Sequence, residues 1–217
     1  MTTTEPVSSP PRPAPVGTVS PPGRTADPMA WGMTAFGTTS FMLGMYETGL
    51  LDRAGVAIIL PAAFFFGGIV EVIVAVLEVQ RGNSFEALFF GTYGPFWIIY
   101  AAMYAWFLPR VPEANTASGV SLFLAMWAVV TAYLFIASWR IDAVLSVILA
   151  LIFGGLVLLA IGEGAGSALF LTIGGWFTLA FGVLSWYHAA SDVISSTFGR
   201  RWLPIGRTHA GPIGVAA

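Results

Sequence analysis

From Trp31 onward the chain is a succession of apolar runs, each close to the roughly 20 residues that carry a helix across about 30 Å of hydrocarbon. Six runs are separated by polar punctuation: 31–50, 55–78, 87–108, 117–138, 141–161 and 167–190. Separators such as Leu51-Asp52-Arg53, Gln80-Arg81-Gly82-Asn83 and Trp139-Arg140 are only long enough to turn the chain back, so neighbouring helices are expected to run antiparallel. The expected fold is an all-α integral membrane protein, a six-transmembrane-helix bundle over residues 27–198. Composition agrees, with 57% of residues apolar, 9% charged and a mean hydropathy of +0.81. A 217-residue soluble interior cannot hide that much apolar surface, and the surplus must face a lipid bilayer.

Several function classes drop out. Without cysteine there is no disulfide framework, iron–sulfur cluster or thiolate zinc site. A net charge of −2 with no basic run gives nucleic acid nothing to hold. The runs contain no HxxxH, no His–Asp pair and no cysteine nucleophile, so no enzyme, metal or cofactor is expected. His188, near the end of the sixth run, reads as a hydrogen-bonded interfacial group. Residues 1–26 are rich in Pro, Ser, Thr and Gly and read as a disordered tail with none of the features of a cleaved signal; 199–217 read as a C-terminal tail. Six spans put both tails on one side of the membrane. That side holds Arg12, Arg24, Arg81, Arg140, Arg200, Arg201 and Arg207, against Arg53 and Arg110 opposite, so both termini are expected in the cytoplasm of a multi-pass plasma or inner membrane protein.

Polar groups inside the runs need a reason to be there. Glu71 lies deep in the second run and must face protein or water, and Glu78 follows on the same helical face two turns later. Glu163 sits in "AIGEGAG", where the flanking glycines suit irregular backbone lining a cavity. Glu47 and Glu86, near run ends, read as solvated boundary groups. Thr38, Thr39, Ser40, Thr92 and Tyr93 offer hydroxyls able to replace water around a small polar solute. Phe36, Phe96 and Trp97 offer apolar walls for a short alkyl chain. Interhelical hydrogen bonding is the competing role for the hydroxyls, and packing the competing role for Glu71.

Five stretches carry a resemblance. "GNSFEALFFGTYGPFW" resembles the GNTFG…(S/T)YG…FW signature of the acetate and succinate permeases grouped as GPR1/FUN34/YaaH. "DPMAWGMTAFGTTSF" is similar to the family's NPAPLG motif and the step after it, and "FFFGGIVEVIVAVLE" to YGG…Q…GLLE. "LLAIGEGAG" is similar to LLAIGN and "FGRRWLPIG" to FGR…LPIG. The resemblance implies six helices per subunit, a homohexamer with a pathway in each subunit, and proton-linked or channel-like passage of acetate, related monocarboxylates and succinate. It implies a constriction at Phe36, Tyr93 and Ile152 and motif roles for Asp27, Pro28, Gly32, Gly82 and Asn83, while the side-chain chemistry above makes Thr38, Thr92, Phe96 and Trp97 the candidate substrate contacts. The chain departs from the motifs at Asp27 (Asn), Ala30 (Pro), Glu71 (Gln) and Glu163 (Asn). Extra carboxylates repel an anion if ionised and are able to carry a coupling proton if neutral, which makes Glu71, Glu78 and Glu163 proton-coupling candidates. Export or conductance of another small solute, including an ammonia-linked role, stays open at this stage, as does a non-transporting scaffold or sensor.

Overall fold

The computed structural model describes residues 26–206, so the stretch expected as an N-terminal tail lies almost wholly outside the described residues, as do 207–217. Helix α1 is Met29–Glu47. A 3-10 turn, Arg53–Ile59, and a π-helical stretch, Ala62–Val70, lead into α2, Glu71–Arg81. Helix α3, Ser84–Ala102, carries Pro95 inside it and is prolonged by a π turn, Met103–Phe107, and a 3-10 turn, Leu108–Arg110. Helices α4 (Glu113–Ser138), α5 (Ala143–Ala165) and α6 (Ala168–Phe198) complete an all-helical chain with no strand among the described residues. Ala62–Arg81, α4, α5 and α6 are each long and apolar enough to cross a membrane, which makes the chain a multi-pass membrane protein. Helices α1 and α3 are 19 residues each.

The helix boundaries have local causes. Asp142 caps α5 by accepting from the Leu145 N–H at 2.7 Å, and Asn83 caps α3 by accepting from the Glu86 N–H at 3.2 Å. Gly82, at φ 75°, ends α2 in the left-handed conformation that side chains avoid, leaving Asn83 alone to turn the chain into α3. The irregular backbone expected around Glu163 is not found. Helix α5 continues through Gly162-Glu163-Gly164 and stops only at Gly166, because Gly162 is where α6 comes close: a Cβ there would lie 2.9 Å from the Leu171 nitrogen.

Helix α1 lies along α6, α6 along α5, α5 along α4, and the Ala62–Arg81 stretch along α3. Small residues set these approaches, since lipid supplies no hydrophobic drive and backbones must come together to gain contact. A Cβ on Gly175 would sit 2.6 Å from the Glu47 carbonyl carbon, and one on Gly94 3.0 Å from the Gly68 oxygen.

Part of the segment expected as a C-terminal tail is fastened to the bundle. The Ala143 and Val144 N–H groups donate to the Ile205 carbonyl at 3.0 and 3.2 Å, Ser191 donates to the Leu203 carbonyl, Tyr187 to the Pro204 carbonyl, and Ile205 is buried. Beside this strap the buried His188 holds Asp142 through Nε2 at 3.0 Å and faces Asp192 through Nδ1 at 3.3 Å. The histidine thus fastens the start of α5 to the end of α6.

Gly175→Val is expected to cost at least the 1–3 kcal/mol typical of overpacking, because the neighbour it meets is backbone; thermal unfolding in detergent should show a lowered Tm. Gly119→Ala, where a Cβ meets nothing within 4 Å, should leave the Tm unchanged or raise it.

Candidate functional site

Three helices present the same spacing to one axis of the bundle. On α1 the stripe runs Phe36, Leu43, Glu47; on α3 and its extension Tyr93, Trp97, Tyr100, Tyr104; on α5 Ile152, Leu156, Leu159, Glu163. The α3 and α5 stripes follow steps of i, i+4, i+7 and i+11, and the α1 stripe the i, i+7 and i+11 of the same series, which keep side chains on one face of a helix. All eleven line two cavities that share Leu43, Glu47, Tyr100 and Leu159.

The inner cavity is about 40 Å³ and holds Phe36, Tyr93 and Ile152, each only 2% exposed. The Phe36 ring lies 5.2 Å from Tyr93, 5.5 Å from Phe89 and 5.6 Å from Phe181, so the narrow point is walled by aromatic faces. Tyr93 is held from α4, its hydroxyl 2.8 Å from Thr131 Oγ1. Trp97 is seated over Gly67, where a Cβ would come within 2.8 Å of the indole, and its Nε1–H is buried without a hydrogen-bond partner. The outer cavity is larger, about 190 Å³, and more polar. Tyr46, Glu47, Arg53, Tyr104 and Glu163 line it, and Arg53 is fixed by donating to the Glu47 carbonyl at 2.6 Å and to Thr172 Oγ1 at 2.9 Å. One carboxylate oxygen of Glu47 is buried with no hydrogen-bond partner.

Of the residues singled out in the sequence, Phe36, Tyr93, Ile152, Phe96 and Trp97 meet in the inner cavity and Glu163 lines the outer one. Thr38 and Thr92 line neither. The Thr38 hydroxyl donates to the Thr34 carbonyl and accepts from Trp186 Nε1 at 3.0 Å, which ties α1 to α6, and Thr92 offers its backbone carbonyl to Trp127 Nε1. Glu71 is fully buried with both oxygens unpartnered, behind the constriction and outside the cavity walls. Glu78, also fully buried, is 3.4 Å from Arg81 Nε, and Arg81 Nη2 is 3.1 Å from Asp27. Asp27, Glu78 and Glu86 bring carboxylate oxygens within 4.8 Å of one another, the number of ligands a metal would need, but Arg81 already supplies a cation to two of them. The motif residues Asp27, Pro28, Gly32, Gly82 and Asn83 are therefore architectural here: they shape the start of α1 and the α2–α3 turn. Gly32 is needed because any Cβ would strike the Phe90 ring at 2.4 Å.

Glu47, read from the sequence as a solvated boundary group, belongs to both cavities, and Tyr100, Tyr104 and Thr131 were not singled out. Extending the stripe from Phe36 by eleven residues finds Glu47; extending it from Tyr93 finds both tyrosines.

Comparison with known proteins agrees with this architecture. The profile of the GPR1/FUN34/yaaH family matches residues 12–201. The succinate-acetate/proton symporter SatP of Escherichia coli is 32% identical over 186 residues, covering 86% of this chain and 98% of that protein. Acetate permease A of Emericella nidulans is 25% identical over 206 residues, covering 88% of this chain and 69% of that protein. A solved structure of the bacterial acetate channel SatP superposes with a TM-score of 0.79 at 32% identity, covering 84% of this chain and all of that one.

The Tyr93–Thr131 contact is buried and links α3 to α4, so Tyr93→Phe and Thr131→Val should each lower stability by about 0.5–1.5 kcal/mol. The double variant should cost less than their sum, measured by thermal unfolding in detergent; strict additivity would show that the bond contributes nothing.

Proposed function

The chain belongs to the GPR1/FUN34/yaaH family, and from that premise we propose that it passes acetate and related small carboxylates, succinate included, across the membrane with linkage to protons. The observation that carries this reading is the meeting of three helix stripes in two adjoining cavities that narrow to Phe36, Tyr93 and Ile152. Arg53 at the wide end supplies a fixed cation that raises the local concentration of an anion. The aromatic walls accept a short alkyl chain, and the unpartnered Trp97 Nε1–H is a donor for a carboxyl oxygen just outside the narrow point. A constriction of rings and alkyl groups excludes hydrated ions, which cannot shed their water there without replacement contacts.

In this reading the six helical segments all cross the membrane, both termini are cytoplasmic, and the wide cavity opens on the opposite side. The arginine distribution supports that orientation. Glu71, Glu78 and Glu163 are the groups assigned to carrying the coupling proton, and the working assembly is a homohexamer with a pathway in each subunit.

Labelled acetate uptake into proteoliposomes, with and without competing succinate, tests the function. Phe36→Ala and Tyr93→Ala should each change protein-dependent flux by about tenfold or more, a barrier change of about 1.4 kcal/mol, at unchanged protein abundance. Normal flux in both well-expressed variants would remove the constriction from this site. For Glu71, replacement by Gln fixes an uncharged side chain of the same shape. If Glu71 carries the proton, flux corrected for substrate ionisation should lose its remaining pH dependence in Glu71→Gln; identical pH profiles would assign Glu71 to packing.

A further inference from the structure

At the constriction every hydroxyl proton can be accounted for. Thr131 Oγ1 lies 2.7 Å from the Trp127 carbonyl oxygen and 2.8 Å from the Tyr93 hydroxyl. A carbonyl has no proton to give, so the single proton of Thr131 is directed to Trp127. The proton shared between Tyr93 and Thr131 is therefore that of Tyr93, and the phenolic oxygen keeps only lone pairs. Thr178, further along the same cavity, gives its proton to the Gly174 carbonyl at 3.1 Å. Phe36, Ile152 and Phe181 contribute rings and alkyl surface. The layer of Phe36, Tyr93 and Ile152 thus offers an acceptor and no free donor, the unpartnered Trp97 Nε1–H of the same cavity belonging to the next turn of α3.

Carboxylic acid and carboxylate meet this layer differently. An ionised carboxylate is acceptor-only, so it would leave its water and find another acceptor. A neutral acid has one O–H to donate, and Tyr93 is placed to receive it. The donors that suit the ionised form come one or more turns further along: the unpartnered Trp97 Nε1–H in the inner cavity, the Tyr100 hydroxyl where the two cavities join, and Arg53 in the outer one.

We propose that Tyr93, fixed by Thr131 as a hydrogen-bond acceptor, passes small carboxylic acids in their neutral form and rejects the anion, so that the proton crosses the constriction on the substrate. Thr131 is a positioning residue that sets this selectivity through Tyr93. The proposal rests on the transport reading above and adds the protonation state of what is carried. The neutral acid is drawn from its equilibrium in solution, so this route replaces Glu71, Glu78 and Glu163 as carriers of the coupling proton.

The test compares three labelled solutes of nearly equal size in proteoliposomes at one mildly acidic pH, with flux through protein-free vesicles subtracted. Fluoroacetic acid is about two pH units stronger than acetic acid, so it supplies about a hundredfold less neutral form at equal total concentration. Acetamide is a neutral isostere with N–H donors for Tyr93. The expected result is protein-dependent passage of acetamide and a fluoroacetate flux at least about tenfold below that of acetate. Thr131→Val, which takes away the acceptor and frees the Tyr93 proton to face the path, should raise the fluoroacetate-to-acetate ratio about tenfold, and Thr131→Ser should keep the parent ratio. A merely structural Thr131 would lower all fluxes together and leave the ratio alone. A parent ratio near one, exclusion of acetamide, or an unchanged ratio in folded Thr131→Val overturns the proposal; if Thr131→Val does not fold, the parent ratio and the acetamide flux decide it. Absence of protein-dependent flux for acetate and succinate alike overturns the transport reading itself.

Discussion

In hydrocarbon there is no water to satisfy a polar group, so each backbone and side-chain donor or acceptor must find its partner within the protein or line a cavity. The backbone answers with helical hydrogen bonding, α-helical for the most part and π or 3-10 beside α2 and α3, and helix ends are closed locally by Asp142, Asn83 and the 203–206 strap. Most side-chain hydroxyls answer by turning onto the carbonyl one turn earlier, as Thr34, Thr39 and Ser185 do. What these closures leave over is informative. Among the described residues the buried atoms without a hydrogen-bond partner include Glu47 Oε2, Glu71 Oε1 and Oε2, and Trp97 Nε1. Atoms of Ser40, Glu78, Glu86 and His188 belong to the same set, and of all these residues Glu47 and Trp97 line the cavities.

The same constraint explains the taper. Stripes running from i to i+11 on three helices span about 16 Å at 1.5 Å per residue, about half the hydrocarbon thickness. Polar character increases in the same direction along two of them, Phe36 to Glu47 and Ile152 to Glu163, while the α3 stripe between them stays aromatic. Desolvation is thereby concentrated in one short layer, where aromatic packing from α1, α3 and α6 holds the walls. Close approach at Gly67 and Gly94 keeps those walls in register, since a side chain there would push Trp97 or the Gly68 backbone away.

Much of this was legible in the sequence because hydropathy and motif spacing are local properties. The helical segments and the α2–α3 turn at Gly82-Asn83 were readable in this way, whereas the grouping of Phe36, Tyr93 and Ile152 rested on the family resemblance. The misreadings share one cause, which is that residue type was weighed without facing direction. Thr38 has a suitable hydroxyl that is engaged with α6, Thr92 lines neither cavity, and Glu47 sits at a span end yet points inward. The glycines around Glu163 suggested a break, whereas Gly162 answers to the approach of α6 at Leu171. Thr131 was invisible because its importance comes from Tyr93, 38 residues earlier, and only the packed structure brings the two hydroxyls together.

A path for carboxylates lined by carboxyl groups looks contradictory only if both are ionised. Glu47 and Glu163 border the wide cavity, where Arg53 offsets their charge and water is within reach, so an anion approaching there meets a mixed field. Further in, the surroundings of Tyr93 include Glu71 and no arginine, lysine or histidine among the inner-cavity residues. Nothing in that layer compensates a negative charge, and the Tyr93 lone pairs add to the opposition. Small cations fare no better, because the walls are rings and alkyl groups too sparse in oxygen to replace a hydration shell. The species that loses least on entry is uncharged, short, and able to donate one hydrogen bond. The carboxyls that appear hostile to the substrate therefore act with the constriction, since each makes the charged form of that substrate a poorer fit than its acid.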